Sequence, residues 1–304
     1  MTKHVKKKLK KIIKKKVLVL LATFNGEKYI AKQLNSILCQ KNVDLEILIS
    51  DDHSSDKTLQ LIKDFKKKNK NKINILNNQK NFGSAAANFF NLIKKSNIDK
   101  FDFIAFSDQD DIWFGDKVIS SIKFLEKNFA DAMSSDIIAY WPKTNKRLMI
   151  KKSLNLNRYD HWFEGPGPGC SQVITKKTFV AFKKFVIKNS KSLYLIHYHD
   201  WLIYAFCRYN KFKWIISWKP KMLYRQHNNN ELGVNYGYFA FIDRLKKIYN
   251  YWYKQEIENI YKLVTNKNFD QFIKSEKIIL KPFSLRRKNT YSFFIWCLLI
   301  LRII

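Results

Sequence analysis

The chain has 304 residues, 46% of them hydrophobic, which is enough to bury a sizeable core around a deep cleft and excludes a disordered polypeptide. Its 57 Lys and Arg against 25 Asp and Glu give a net charge of +32, so its partners are expected to be anionic: phosphorylated small molecules, anionic lipid or nucleic acid. The four cysteines, Cys39, Cys170, Cys207 and Cys297, are scattered without ligand spacing, which excludes a disulfide scaffold and argues against zinc.

Residues 1–16 hold nine lysines and no apolar run of signal-peptide length, so they are expected to form a basic cytosolic arm rather than a leader. Val17–Ala22 is a continuous apolar run that predicts a buried parallel strand. In Glu27–Gln40 the spacing of Ile30, Leu34, Ile37 and Leu38 predicts a helix with one buried face. Leu45–Ser50 reads as a second strand, and Thr58–Lys68 as a helix capped near Ser54 or Ser55. Ile73–Leu76 follows as a strand, Ser84–Lys95 as a helix and Phe101–Ser107 as a strand.

Strands separated by single helices imply right-handed crossovers and a doubly wound, mostly parallel α/β sheet. Ligands of such sheets sit beyond the carboxyl ends of the strands. Two acidic clusters fall there, Asp51-Asp52 and Asp108-Gln109-Asp110-Asp111. Carboxylates so crowded repel one another unless a cation or a hydroxyl-rich ligand joins them.

Beyond residue 130 the spacing predicts strands at Ile137–Trp141 and Ser171–Ile174, with a flexible or sharply turned loop at Gly165–Gly169. Helices are expected at Lys176–Lys188 and His199–Tyr209, then strands at Lys213–Ser217 and Lys221–Tyr224. From Tyr236 onward the pattern is helical, basic and aromatic. Its last part, Thr290–Leu301, is uncharged and mostly apolar but well short of the roughly 20 residues that cross a bilayer. With Arg286, Arg287 and Lys288 before it and Arg302 after it, the segment reads either as an interfacial anchor on an anionic surface or as a terminal core helix.

The segment Ser107–Trp113 carries the strongest chemical signal, because an Asp-x-Asp pair after a strand can offer one carboxylate to a ribose and the next to Mg²⁺ or Mn²⁺. An acidic turn capping the next helix accounts for Asp111 but not for Asp108 or Asp110. Asp200 opens a predicted helix, where it could be a first-turn acid or the general base of a displacement. His227, after a strand and beside Arg225, suits contact with phosphate or metal. Trp141, Trp162 and Trp201 could stack on sugars, with core packing the default, and His161 and His197 have no functional role in this reading.

Taken in order, ATFNGEKYI (22–30), ISDDHSSDKT (49–58), NFGSAAANF (81–89), SDQDDIW (107–113), GCSQVITKK (169–177), HDW (199–201) and YRQHNNN (224–230) closely resemble the inverting family 2 glycosyltransferases with a GT-A fold, above all their rhamnosyltransferase-type members. The resemblance covers roughly residues 17–235 and implies that organisation: a basic arm at 1–16, a catalytic domain at 17–235 and a helical extension at 236–304. It implies that Thr23, Asn25 and Glu27 lie around the base and ribose, Asp52 at the nucleoside, Asp108 at the ribose and Asp110 at the metal. It makes Asp200 the general base, with His199 and Trp201 toward the acceptor, and brings Arg225, Gln226 and His227 to the diphosphate or metal. The implied donor is dTDP-rhamnose first and a UDP-hexose second. The acceptor would be a saccharide or lipid-linked saccharide of bacterial surface polysaccharide, reached from the inner face of the cytoplasmic membrane. A basic nucleic-acid-binding module is the competing reading, carried by charge alone.

Overall fold

The computed structural model describes residues 14–227, 250–301 and 303–304, so most of the basic arm and the start of the helical extension lie outside the described residues. In chain order the first half contains β1 (Lys15–Thr23), α1 (Ile30–Leu38), β2 (Val43–Asp51), α2 (Thr58–Lys68), β3 (Ile73–Ile75), α3 (Ala85–Lys95), β4 (Phe103–Ser107), β5 (Ile112–Trp113) and α4 (Lys117–Lys127). It continues with β6 (Ala132–Ser135), β7 (Ile137–Trp141), β8 (Lys146–Ile150), α5 (Asp160–Phe163), β9 (Val173–Thr175), α6 (Lys176–Lys188), α7 (His199–Tyr209), β10 (Trp214–Ser217) and β11 (Met222–Arg225). The extension supplies α8 (Trp252–Thr265), α9 (Phe269–Ser275) and α10 (Asn289–Ile300).

The main sheet has seven strands in the order β10-β6-β9-β4-β1-β2-β3. β1 runs parallel to both β2 and β4, and β3 parallel to β2, while β9 is antiparallel to β4 and to β6. The apolar run of β1 is explained by burial on both faces. Val17, Val19 and Leu21 enter one core, and Leu18, Leu20 and Ala22 enter the other. A second sheet, β5-β11-β7-β8, stands beside the first and carries Arg225 at its centre.

Several expectations change in detail. Leu38 is only half-buried, and Gln33 takes its place on the inner face of α1, where its Nε2 donates to Ser107 Oγ at 2.7 Å. Neither Ser54 nor Ser55 caps α2; the Asp56 carboxylate receives the Thr58 amide at 2.9 Å instead. Ser171 lies in a 3₁₀ turn, Gly169–Ser171, before β9 begins at Val173. The Gly/Pro segment is sharply turned. Pro166, Gly167 and Gly169 are buried, and Gly167 has φ +127°. Asp111 caps no helix, since α4 starts six residues later. α4, β6 and β8 were not distinguished in the sequence.

α8 to α10 pack on the sheet-bearing part of the chain through a shared core in which Ile257, Ile260, Phe272 and Leu298 join Trp162, Phe163 and Tyr204. Among the described residues no helix is long and apolar enough to cross a membrane.

Candidate active site

The carboxyl ends of β1 and β2 are stitched into one cradle. Thr23 Oγ1 donates to Asp51 Oδ1 at 2.9 Å, and Ser54 reaches the same carboxylate with its amide at 2.9 Å and its hydroxyl at 2.7 Å. Asn25, in the left-handed region at φ +46°, gives its amide to Ser54 Oγ and takes the Ser55 amide on Oδ1, both at 2.9 Å. Glu27 and Asp56 cross over: Glu27 Oε2 accepts from the Lys57 amide at 2.9 Å, and Asp56 Oδ2 accepts from the Glu27 amide at 3.0 Å. Asp52 binds the next loop, taking the amides of Phe82 at 2.5 Å and Gly83 at 2.9 Å. Gly83, at φ +75°, supplies a conformation that other residues adopt at a cost. The sequence-predicted donor residues are thus brought together, and each rigidifies a loop as well as facing the strand ends.

Some residues of this cradle escaped the sequence reading. The Gln109 amide clasps the main chain of Phe24, accepting from its N–H and donating to its carbonyl, each at 2.8 Å, while the Phe24 ring stays exposed. A side chain at Gly26 would run into this clasp, since an added Cβ falls 2.3 Å from Gln109 Oε1. Asn88 and Asn91, three apart on the otherwise apolar inner face of α3, bind the ends of β1 and β2: Asn88 Nδ2 reaches the Ser50 carbonyl at 2.9 Å. Polar residues at helical spacing on a buried face were the available signal.

At the end of β4, Asp110 is buried and tied to the second sheet. His227 Nε2 lies 2.7 Å from Asp110 Oδ2, and Arg225 Nε donates to the Asp110 carbonyl at 2.6 Å. Tyr29 from the start of α1 stacks on the His227 ring at 4.6 Å and lies beneath the Arg225 guanidinium at 4.7 Å. Asp108 is half-buried beside Asp111 and Cys170, their ligand atoms lying within 4.8 Å of one another.

Two chemistries meet at this strand end. Burial first, then the charges of Asp110 and Asp108, holds the Asp111 carboxyl well above its usual range, which favours a protonated acid. Burial and the Asp111 carboxyl likewise push the Cys170 thiol up, so no thiolate is on offer. Among the described residues the Asp110 carboxylate pairs with the His227 imidazole, two ligand types that suit a divalent cation, while the Asp108 carboxylate groups with Asp111 and Cys170. Beneath it lies Lys117, fully buried, 3.7 Å over the Trp113 ring and lowered by burial to about 8.

His199 and Asp200 open α7 beside the same strand end. Gln172 links them, its carbonyl accepting from the Phe106 amide at 3.3 Å and its Nε2 donating to the Asp200 carbonyl at 3.2 Å. Gly169 allows this approach, because a Cβ there would fall 2.7 Å from His199 Nε2 and 3.2 Å from Asp200 Cβ. His199 is stacked on Phe89 at 3.9 Å, and burial lowers it to about 3, so it stays neutral. Asp200 is half-buried and raised to about 6, chiefly by burial; its Oδ1 accepts from the Trp201 amide at 2.8 Å. Trp201 turns away into the core, giving Nε1 to the His161 carbonyl at 2.9 Å and stacking with Tyr253. Trp162 is buried too, whereas Trp141 is half-buried in β7.

Residues 18–193 match the profile of Glycosyl transferase family 2. The chain is 41% identical over 289 residues to the dTDP-rhamnosyl transferase RfbG of Shigella flexneri, an alignment spanning 93% of this chain and 100% of that one. It is 27% identical over 181 residues to the UDP-Glc:alpha-D-GlcNAc-diphosphoundecaprenol beta-1,3-glucosyltransferase WfgD of Escherichia coli, covering 59% of this chain and 67% of the other. Among solved structures, S. aureus TarS 1-349 in complex with UDP-GlcNAc superposes with a TM-score of 0.54 at 15% identity, over 95% of this chain and 81% of that one. The mannosyltransferase PcManGT from Pyrobaculum calidifontis, in complex with GDP-Man and Mn2+, gives 0.50 at 11% identity, over 95% and 86%. These two likenesses concern the fold, which is of the GT-A type.

Proposed function

The chain belongs to glycosyl transferase family 2 and is a glycosyltransferase of polysaccharide synthesis, and from that premise we propose that it transfers rhamnose from dTDP-rhamnose, with inversion, to a hydroxyl of a saccharide or lipid-linked saccharide. The observation that carries the donor assignment is the 41% identity to a dTDP-rhamnosyl transferase along that relative's whole length. A UDP-hexose is the second donor. The nucleic-acid alternative finds no support in the fold or the relatives.

In this reading the base and ribose lie in the cradle of Thr23, Asn25, Glu27 and Asp52, with Asp108 at the ribose. Asp110, with His227 beside it, would hold Mg²⁺ or Mn²⁺, which would supply positive charge to the departing diphosphate. Arg225, held rigid by Tyr29 and the Asp110 carbonyl, adds charge from the protein. Asp200 takes the proton of the acceptor hydroxyl as its oxygen attacks the anomeric carbon and the dTDP leaves from the opposite face. Neutral His199 lines the acceptor side, and Trp201 acts from behind by fixing the start of α7. A raised carboxyl suits this task, because a base near neutrality is stronger than a free carboxylate and is still ionised at the pH of the cytosol.

The extension is read as a monotopic anchor on an anionic membrane face. Ile279, Leu280, Phe283, Phe293 and Leu301 are exposed together with half of α10, and Lys277, Lys281 and Lys288 lie among them in the sequence.

A thermal-shift screen of nucleotide sugars with Mn²⁺ tests the donor. dTDP-rhamnose should raise the melting temperature most, and a larger shift with UDP-sugars would replace it. NMR of the product anomer tests inversion.

A further inference from the structure

We infer that Glu256, on α8 of the C-terminal extension, is a positioning residue for the transfer base: its buried carboxylate clamps the segment that enters α7, the helix that carries Asp200. This inference rests on Asp200 being that base. Glu256 is 1% exposed and is spent entirely on residues just ahead of α7. It accepts the His197 amide at 3.0 Å and the Tyr198 amide at 3.1 Å, and pairs with His197 Nδ1 at 2.8 Å. Tyr198 is the N-cap of α7 and its side chain does not cap the helix, while Glu256 provides from another element the anion that a helix start favours.

The clamp has further anchors on the same two elements. Trp252 meets Tyr198 edge-on at 5.2 Å, Tyr253 stacks with Trp201, and Asn259 Nδ2 donates to the Leu195 carbonyl at 3.2 Å. The residues flanking Asp200 on both sides are therefore held by α8.

Among the described residues, two charged groups act on Asp200. Glu256 from α8 opposes its ionisation, and Lys152, after β8, favours it. Lys152 is itself flanked by Arg286 and Arg287 from the segment before α10 and by Glu164 after α5. On its own helix, His199 is neutral. Burial is the largest cause of the raised Asp200 carboxyl and the Glu256 charge adds to it, while burial raises the Glu256 carboxyl too, against its hydrogen bonds to His197 and Tyr198.

The test measures pH–rate profiles of the full-length enzyme for Glu256→Gln and Glu256→Asp. Gln keeps one amide acceptor and removes the charge, so the acidic limb of kcat/KM should move to lower pH; a limb that stays in place in a folded Glu256→Gln enzyme overturns the inference. Asp keeps the charge but is one methylene short of the two amides. Its acidic limb should stay near the wild type while kcat falls roughly 10- to 100-fold at unchanged donor KM, the scale on which an ångström of misplacement acts. Wild-type kcat in Glu256→Asp overturns the inference even where the Gln variant does not fold. Asp200→Asn, run in parallel, separates the premises: normal turnover there removes the base, whereas an inactive Asp200→Asn beside a silent Glu256 pair removes only the positioning role.

Discussion

A carboxylate held near neutrality by burial carries a cost to stability that its replacement exposes. Asp200 has a folded-state value of about 6 against 3.8 for the free group, so the fold favours its protonated form. That preference is fully present below the unfolded value and is lost as pH rises through about 6. Asp200→Asn is therefore expected to be more stable than the wild type at pH 8, by at most about 3 kcal/mol and less to the extent that solvent reaches the half-buried carboxyl, with the gap closing toward pH 4. Urea denaturation at the two pH values checks it, and an equal midpoint at both refutes the raised carboxyl. Turnover should fall at least about 100-fold with donor affinity kept, since the amide takes no proton and Asn can still receive the Trp201 amide. At the strand end, Asp110→Asn removes the charge of the proposed metal ligand and weakens the His227 contact, so transfer should be lost at any Mn²⁺ concentration while the fold survives. Near-normal turnover in a folded Asp110→Asn enzyme would sink the metal assignment.

Among elements, the apolar surface of the extension is the part whose role divides between packing and contact with lipid. Ile295 and Leu298 of α10 are buried, whereas Phe293 and Leu301 are exposed, so one face of Thr290–Leu301 packs in the core and the other is the face of the proposed anchor. Truncation before α10 would confuse them. Leu280→Ser with Phe293→Ser, at 73% and 46% exposure, should instead leave the melting temperature nearly unchanged while reducing cosedimentation with anionic vesicles several-fold. Unchanged sedimentation would remove the anchor. The alternation of β1 to β4 with three helices was legible because parallel strands buried on both faces are written as apolar runs. The reversal at β9 was not, since three residues in an antiparallel register carry no period of their own. In the proposed site, the acidic strand ends and the helix start singled out Asp52, Asp110 and Asp200, whereas Thr23, Asn25 and Glu27 were reached only through the family resemblance. Gln109, Asn88 and Glu256 were not, because their roles depend on partners 38 to 85 residues away.

For the molecule as a whole, the decisive question is whether the extension is a separate appendage or part of the catalytic unit. The buried polar network around Asp160 favours one unit. Its carboxylate receives Tyr204 Oη at 2.9 Å and Arg208 Nη1 at 2.8 Å from α7, and Arg287 Nη1 at 3.4 Å from the segment before α10. Arg287 also donates to the Gly165 carbonyl at 2.7 Å and pairs with Glu164, with only 2% of its side chain exposed. Burial opposes ionisation of Asp160, yet His161, Arg208 and Arg287 outweigh it and hold the carboxyl below its usual value. Removing one partner from such a network leaves charge buried and uncompensated, a loss of about 3–5 kcal/mol. Arg287→Ala should therefore lower the urea midpoint of the whole chain in one transition, because the same core holds Leu298 of the extension and Tyr204 of the catalytic unit. The loss should also reach the chemistry, since the Gly165 carbonyl and Trp201 lie on the path from Arg287 to Asp200. Two separate transitions, with the catalytic signal unchanged, would instead make the extension an independent unit attached to a self-sufficient transferase.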